Sequence, residues 1–406
     1  MPWNKTEPMN ERVKFIAAHL EREDSFSELC ERFDISRKTG YKWVERYEGN
    51  GLVSLADQSR APLSHPNAVT SELTRLILSA REKHPSWGPK KLLVILERKN
   101  PRLTLPAAST VGQILKRHGF IKKRRRRIYS APNGSDLQEY RAPNSIWCAD
   151  FKGHFPVGGK RCNPLTISDG FSRYLIRCEG LRRPLSDYVK PVFESAFREY
   201  GLPDAIRTDN GAPFSTLAPG GLSRLAIWWI KLGIRPERIM PGRPDQNGRH
   251  ERMHRTLKAE AANPPRSSFV AQQQAFNQFL DEYNEVRPHE ALGQQTPASA
   301  YRKSNRPYPK RLPEIDYPSH FEVFKTYPNG IISFGHTQWI ISSVLKNEWV
   351  GLEPIDDDRW KVYFGPIALG VLDGRLAKER RDRHFGALVR LDGEVTSRRR
   401  RKPYRK

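Results

Sequence analysis

From Ser145 onward the sequence leaves helical spacing for short apolar segments in an order that few sheets can accommodate. Ile146 to Phe151, Pro164 to Ser168 and Tyr174 to Glu179 read as strands, with the turn Asp169-Gly170-Phe171-Ser172 between the last two. A helix follows over Tyr188 to Tyr200, and Gly201-Leu202-Pro203 breaks it before a strand at Ala205 to Thr208. A further helix over Leu222 to Leu232 leads to a strand between Gly233 and Arg238. Three hairpin-like strands are thus succeeded by alternating helix and strand.

The chain around this segment, 406 residues in all, is too long for one core, and 37% hydrophobic residues suffice to bury several. Seventy Lys and Arg against 45 Asp and Glu leave a formal charge of +25, a field that attracts a polyanion over its whole length. No window approaches eighteen uncharged apolar residues and MPWNKTEPMNERVK lacks a signal-peptide pattern, so a soluble, cytoplasmic protein with no membrane partner is expected. Cys30, Cys148, Cys162 and Cys178 form no CxxC pair and read as buried thiols. Charge is uneven: +12 over residues 1–128, +7 over 129–306, −3 over 307–374 and +9 over 375–406. Nucleic acid is the expected partner of the basic blocks.

In the first block, Glu11 to Leu20 reads as a helix with Asn10 as a possible N-cap, and a short helix follows around Phe26 to Phe33. After a break at Asp34 and Ile35, Ser36 can cap a third helix carrying Arg37, Lys38, Lys42 and Arg46. Short helix, tight break and basic helix follow helix-turn-helix logic, with the last helix entering the major groove. A three-helix bundle with a solvated basic face is the alternative. A second such arrangement spans Leu73 to Lys83, Pro89 to Leu96 and Ser109 to His118, the last capped by Ser109, with Trp87 expected in its core. Its Lys90 and Lys91, and the run Lys122, Lys123, Arg124, Arg125, Arg126 and Arg127, are expected at DNA phosphates.

The strand-rich segment has the element order of a ribonuclease-H-like core, and three acids sit where such a core can aim them at one point. Asp150 in IWCADFKG lies on a strand, Asp209 in IRTDNGAPF just after one, and Glu251 in PDQNGRHERMHRTLK on a helix. In-line displacement at a phosphodiester builds charge on attacking and leaving oxygens, which two divalent cations about 4 Å apart stabilise. Oxygen donors of this kind suit Mg2+ or Mn2+, and two ions are expected.

WCADFKG, SDGFSRY, RTDNGAPF, PGRPDQNGRHERMHRTLKAE and YNEVRPHEALGQQTPASAY, with SRKTGYKW and HPSWGPKKL outside the core, carry a family resemblance over nearly the whole chain. The sequence resembles bacterial insertion-sequence transposases of the retroviral-integrase-like DDE class, and most resembles insertion-sequence family 481. The resemblance implies that Asp150, Asp209 and Glu251 form the catalytic, metal-holding triad, and that a dimer or higher oligomer holds the DNA ends. The 41 residues between Asp209 and Glu251 exceed the spacing typical of the retroviral group. Ala218-Pro219-Gly220-Gly221 accounts for the excess as a loop insertion.

His254, Arg255 and Lys258 lie three, four and seven positions beyond Glu251, on its helical face, and are expected at DNA beside the metal ligand. Asn247 and Gly248 open that helix, and Asn210-Gly211 makes a tight turn that brings backbone close to DNA, so Asn210 and Asn247 join the expected contacts. Asp169 reads as a turn residue, Asp245 as a turn or cap, and Asp204 as exposed. The block from Tyr283 to Pro297 reads as a structural lock, with His289 a hydrogen-bonded structural histidine. Alternating runs between His320 and Leu372, with turns at Asn329-Gly330 and Asp356 to Asp358, suggest a small SH3-like barrel, and a basic tail with Arg398 to Lys402 follows.

The expected division is therefore helix-turn-helix domains over 1–60 and 61–121, a basic linker over 122–143, the ribonuclease-H-like integrase core over 144–306, the barrel over 307–374 and the tail over 375–406. The activity expected is metal-dependent 3′-end cleavage and strand transfer on double-stranded DNA after binding of terminal inverted repeats. A catalytically idle DNA-binding regulator and a hydrolysis-only nuclease are the rival readings.

Overall fold

A chain of this charge folds around several separate apolar cores, built by helices in its first part and by helices packed on sheets after it. The computed structural model describes residues 8–57, 59, 68–121, 139–240, 248–379, 385–389 and 391, and divides into compact units over 1–70 and 71–406. The run 122–127, Asn247, Asp245 and the basic stretch 398–402 lie outside the described residues.

The first unit holds α1 (Pro8–Glu21), α2 (Phe26–Arg32) and α3 (Arg37–Asn50). Asn10 lies inside α1 rather than capping it. Ser25 and Glu28 form a capping box at α2, and the Ser36 hydroxyl caps α3 by accepting from the Thr39 amide. Phe15, Ile16, Leu29, Cys30, Trp43 and Val44 make the core. Trp43 rather than Tyr41 is the inward residue of α3. Tyr41 is 61% exposed and stacks on Phe26, while Arg12, Lys42 and Arg46 lie over the Trp43 ring.

The second unit opens with α4 (Ser71–Lys83), α5 (Pro89–Lys99) and α6 (Ala108–Arg117). Ser109 falls inside α6, whose cap position is Ala107, without a side-chain bond. Then come β1 (Ile146–Phe151), β2 (Phe155–Val157), β3 (Lys160–Asp169), β4 (Leu175–Leu181), α7 (Ser186–Tyr200), β5 (Ala205–Thr208), α8 (Arg224–Lys231) and β6 (Arg235–Arg238). They are followed by α9 (Gly248–Leu257), α10 (Phe269–Asp281) and α11 (Pro297–Ala300). The sheet runs β2-β3-β1-β5-β6, with β4 also on β3. β1 is antiparallel to β3 and parallel to β5, which is parallel to β6. Ile146, Trp147, Cys148 and Ala149 are all buried, as a central strand covered on both faces requires.

The C-terminal part carries β7 (Glu322–Lys325), β8 (Ile331–Phe334), β9 (Thr337–Ile340), β10 (Trp349–Asp356), β11 (Arg359–Phe364), β12 (Ile367–Asp373), α12 (Gly374–Glu379) and β13 (Phe385–Ala387). They form a four-stranded sheet, β12-β11-β10-β7, and a three-stranded sheet, β13-β9-β8, around one core.

One helix serves two cores. Every residue of α8 from Leu225 to Ile230 is buried. Leu225, Trp228 and Trp229 face the six-stranded mixed sheet, while Ala226, Ile227 and Ile230, with Leu222, join Val350, Leu352 and Phe364 of the C-terminal sheets. A helix apolar all round must be covered all round, and two domains share the task. Lys231 and Glu348 seal the seam at 2.9 Å. The stretch over 218–221 belongs to the same seam: Pro219–Gly221 forms a 3-10 turn, and a Cβ on Gly220 would sit 3.2 Å from both Ile367 and Leu369. The extra residues after Asp209 therefore dock the C-terminal sheets.

In the first unit, a Cβ added at Gly40 would meet Cys30 Sγ at 2.7 Å and Phe26 Cζ at 3.0 Å. Gly40→Ala gains about 1 kcal/mol of helix propensity but overpacks by about 1–3 kcal/mol, so α3 should be net destabilised. Adding Cys30→Ala should reverse the sign. Hydrogen exchange of the 37–50 amides in the full chain measures both.

Candidate active site

Asp150 reaches the site because β1 pairs with β3 in the register that sets it opposite Thr166. Asp209 follows β5, the parallel neighbour of β1, and its Oδ1 accepts from the Gly211 amide at 3.1 Å, an Asx turn that fixes the carboxylate at the strand end. Asn210 Nδ2 donates to the Ile239 carbonyl at 2.7 Å and so ties this turn to the end of β6. Glu251 stands exposed on the first turn of α9.

Electrostatics brings the three together. The Asp150 carboxyl is pushed up to about 7, first by burial and next by the Asp209 carboxylate, with Glu251 adding to it and the Phe151 amide and Lys152 opposing. Among the described residues no three His, Cys, Asp or Glu side chains are drawn into a ready-made metal cage. The acids interact at range, as like charges do across a site.

Sequence reasoning missed the layer beneath. His250 and His254, one turn apart on α9, are both buried and converge on Thr166, with Nε2 to Oγ1 distances of 2.7 and 2.6 Å. Thr166 also donates to the Asp150 carbonyl at 3.1 Å. A hydroxyl has one proton and two lone pairs, so both imidazoles must donate from Nε2. His250 Nδ1 then accepts from Ser168 Oγ at 3.0 Å, and the lone pair of His254 Nδ1 faces Asp150 Oδ2 at 3.7 Å. Burial draws His250 down to about 3 and, with His250 and Lys152 adding, His254 down to about 2. Both are neutral at pH 7 and give Asp150 no compensating charge. His254, expected beside DNA, instead points into the core because α9 lays that side of its surface on β3. The i and i+4 spacing of His250 and His254 shows that they share one side of α9, but not that this side packs inward.

Of the other expected contacts, Arg255 and Lys258 are exposed, Lys258 where the helix widens into a π turn over Lys258–Ala262. Arg37, Lys38 and Lys42 are exposed and Arg46 is half-buried. Lys90 pairs with Glu290 at 2.7 Å, and Lys91 is half-buried, its ammonium pulled to about 8 by burial and then by Arg287. Asp169 is 1% exposed and accepts from the Asn144 and Ser172 amides and the Ser172 hydroxyl, the turn role its position suggested.

The lock over 283–297 holds more than its own core. Asn284 exchanges two hydrogen bonds with the Leu175 backbone on β4, at 2.8 and 2.9 Å. Arg287 pairs with Glu260 at 2.7 Å and donates to Ser86 of the second helical segment, whose His84 meets Glu282 at 2.8 Å. Trp87 is buried between the stacked His84 ring and the Arg287 guanidinium.

Two family models described as Integrase core domain match residues 140–244 and 232–297, and models described as Homeodomain-like domain and Helix-turn-helix domain match 39–115 and 11–62. The 39.2 kDa protein of insertion element IS476 from Xanthomonas euvesicatoria is 27% identical over 60% of this chain and 69% of its own. The 31.7 kDa protein of insertion element IS407 from Burkholderia multivorans is 27% identical over 67% of this chain and 92% of its own. Among solved structures, the HTLV-2 integrase catalytic core domain in complex with magnesium is 19% identical over 40% of this chain and 99% of that one, with a TM-score of 0.31. The family models thus describe an integrase core preceded by helix-turn-helix segments. The Xanthomonas and Burkholderia relatives are both insertion-element proteins.

The donor set fits hard divalent cations: three carboxylates, no thiolate, and a partly buried acid whose ionised form burial and two neighbouring carboxylates disfavour. Without cations, the Asp150 carboxyl binds a proton more tightly folded than unfolded, so stability falls as pH rises from about 4 to about 7 and the full cost persists above. Asp150→Asn should therefore raise the melting stability of EDTA-treated protein at pH 8 by on the order of a few kcal/mol and leave it nearly unchanged at pH 4. Parallel thermal melts at the two pH values check this.

Proposed function

We propose that this protein is a DDE transposase, most like insertion-sequence family 481, which cleaves the 3′ ends of its element and joins them to target DNA. The observation that carries the reading is the half-buried Asp150 carboxyl, set with Asp209 at the carboxyl ends of two parallel strands, its ionised form disfavoured by burial, by Asp209 and by Glu251 on α9. Asp150, Asp209 and Glu251 would hold two Mg2+ or Mn2+ ions. When bound, such ions stabilise charge on the attacking and leaving oxygens of an in-line displacement.

In the first step a water oxygen bonds to phosphorus, the P–O3′ bond breaks, and the proton settles on the released 3′ oxygen. In the second, that 3′-OH attacks a target phosphodiester, a P–O bond forms as one breaks, and the proton passes to the leaving 3′ oxygen. No covalent enzyme intermediate is required. Thr166, tied in turn to His250 and His254, keeps the backbone of Asp150 in place, and Asn210 steadies the turn that carries Asp209.

Residues 1–60 and 61–121 serve as two reading heads for terminal inverted repeats, 122–143 as the basic linker, 144–306 as the core and 375–406 as a basic tail. The two C-terminal sheets act as a small SH3-like barrel over 307–374. The protein works as a homo-oligomer on double-stranded DNA in the bacterial cytoplasm; no described helix is long and apolar enough to cross a membrane.

Asp209→Asn should abolish Mg2+-dependent end cleavage and strand transfer, a loss beyond the about 10–100-fold typical of an outer-shell metal partner, while binding of labelled element ends survives. A gel assay with labelled ends, Mg2+ and target plasmid reads both. Unchanged joining by the variant refutes the assignment, and nicking without joined products by the parent protein points to a hydrolysis-only nuclease.

A further inference from the structure

Away from the carboxylates, a cavity of 530 Å³ opens between α9, the turn at 169–173, the lock over 283–291 and α5. Arg173, Arg249, Arg252, Arg255, Arg287 and Lys91 line it. The two acids in its wall, Asp169 and Glu290, are already engaged, the first by the Asn144 and Ser172 donors and the second by Lys90. Glu260 takes up Arg287. Among the described residues, Arg173, Arg252 and Arg255 have no carboxylate partner. Arg173 Nε and His289 Nε2, in two residues of its wall, are buried without a hydrogen-bond partner among the described residues. Arg249 is pre-aimed, its guanidinium over the Tyr140 ring at 4.4 Å and its NH1 on the Gly170 carbonyl at 3.2 Å. Arg249 and Arg252 repel Arg173 strongly enough to add to the effect of burial in weakening its hold on a proton. So many uncompensated cations around one cavity are stabilised when an anion enters.

We propose that this cavity binds consecutive backbone phosphates of a DNA strand, apart from the metal-holding carboxylates. The inference rests on the DNA-directed part of the proposed function. The arrangement favours a strand over a compact polyphosphate. Arg249, Arg252 and Arg255 recur every three residues, about 4.5 Å apart along the helix axis. They make a row rather than a ring, suited to phosphates that follow one another at about 3.4 Å of axial rise per strand. Lys91 extends the row onto α5, so the strand runs from the second helical segment towards α9. Contacts of this kind hold the backbone in register and carry no sequence information.

The test compares full-length protein with the Arg249→Gln/Arg252→Gln double variant, two exposed positions at which the fold should survive, as a thermal melt verifies. Binding of duplexes of unrelated sequence is titrated against salt. Each lost phosphate contact lowers the slope of log K against log salt by about 0.9. The double variant should therefore lose one to two units of slope, on the order of tenfold in affinity, alike for every duplex. A parallel calorimetric titration uses inorganic tripolyphosphate. Unchanged slopes overturn the proposal, and tripolyphosphate binding that the variant abolishes, with duplex slopes unchanged, reassigns the cavity to a free polyphosphate. End cleavage by the parent protein is scored in the same preparations. Reduced slopes without any cleavage would sustain the cavity and refute the transposase reaction.

Discussion

Most of the second unit depends on α8 having no solvent face. Its tryptophans complete the core of the mixed sheet while Ala226, Ile227 and Ile230 complete that of the C-terminal sheets. The stretch between Asp209 and Glu251 must deliver this helix at the right height and phase before the chain can return through β6 to α9. The long spacing between the second and third acids is thus a packing requirement. It does not displace the site, because Asn210 and the Ile239 amide still fasten the end of β5 to the end of β6.

Around the acids the protein spends its buried polar groups on geometry rather than on charge. Thr166 joins two imidazoles to the backbone of Asp150, and neither imidazole carries a proton that could neutralise the carboxylate. A protonated histidine there would stabilise the isolated protein and compete with a cation. Neutral histidines add no positive charge beside Asp150, which accords with the hard-cation centre proposed for the three carboxylates.

The element order from Ile146 to Arg238, the Ser36 cap and the six C-terminal strands from His320 to Leu372 were legible because apolar periodicity and turn residues are local signals. The β2–β3 hairpin was not, since Pro156 argues against a strand; it survives at an edge, turned by Gly158 and Gly159 at positive φ. Ser109 looked like a cap, yet the cap position is Ala107, two residues earlier, and burial of Val111, Ile114 and Leu115 fixes the phase of the helix. The acids were readable from their settings. The orientation of His254 was not, because a helix that bears ligands on one side and packs on the other shows two polar stripes, and only the neighbouring strand decides which is inside. The double burial of α8 could have been read from RLAIWWIK itself, but not what would cover its second face.

The clasp between the second helical segment and the core has a further meaning under the proposed function. His84, Trp87, Lys90 and Arg98 fasten that segment to Glu282, Arg287, Glu290 and the Gln294 carbonyl. A recognition module fastened at four points to the block that bears the cutting centre behaves as a ruler. The interval in base pairs between the sequence it grips and the bond that is cut is then written in the protein's own dimensions, so an element's ends can drift in sequence more freely than in length.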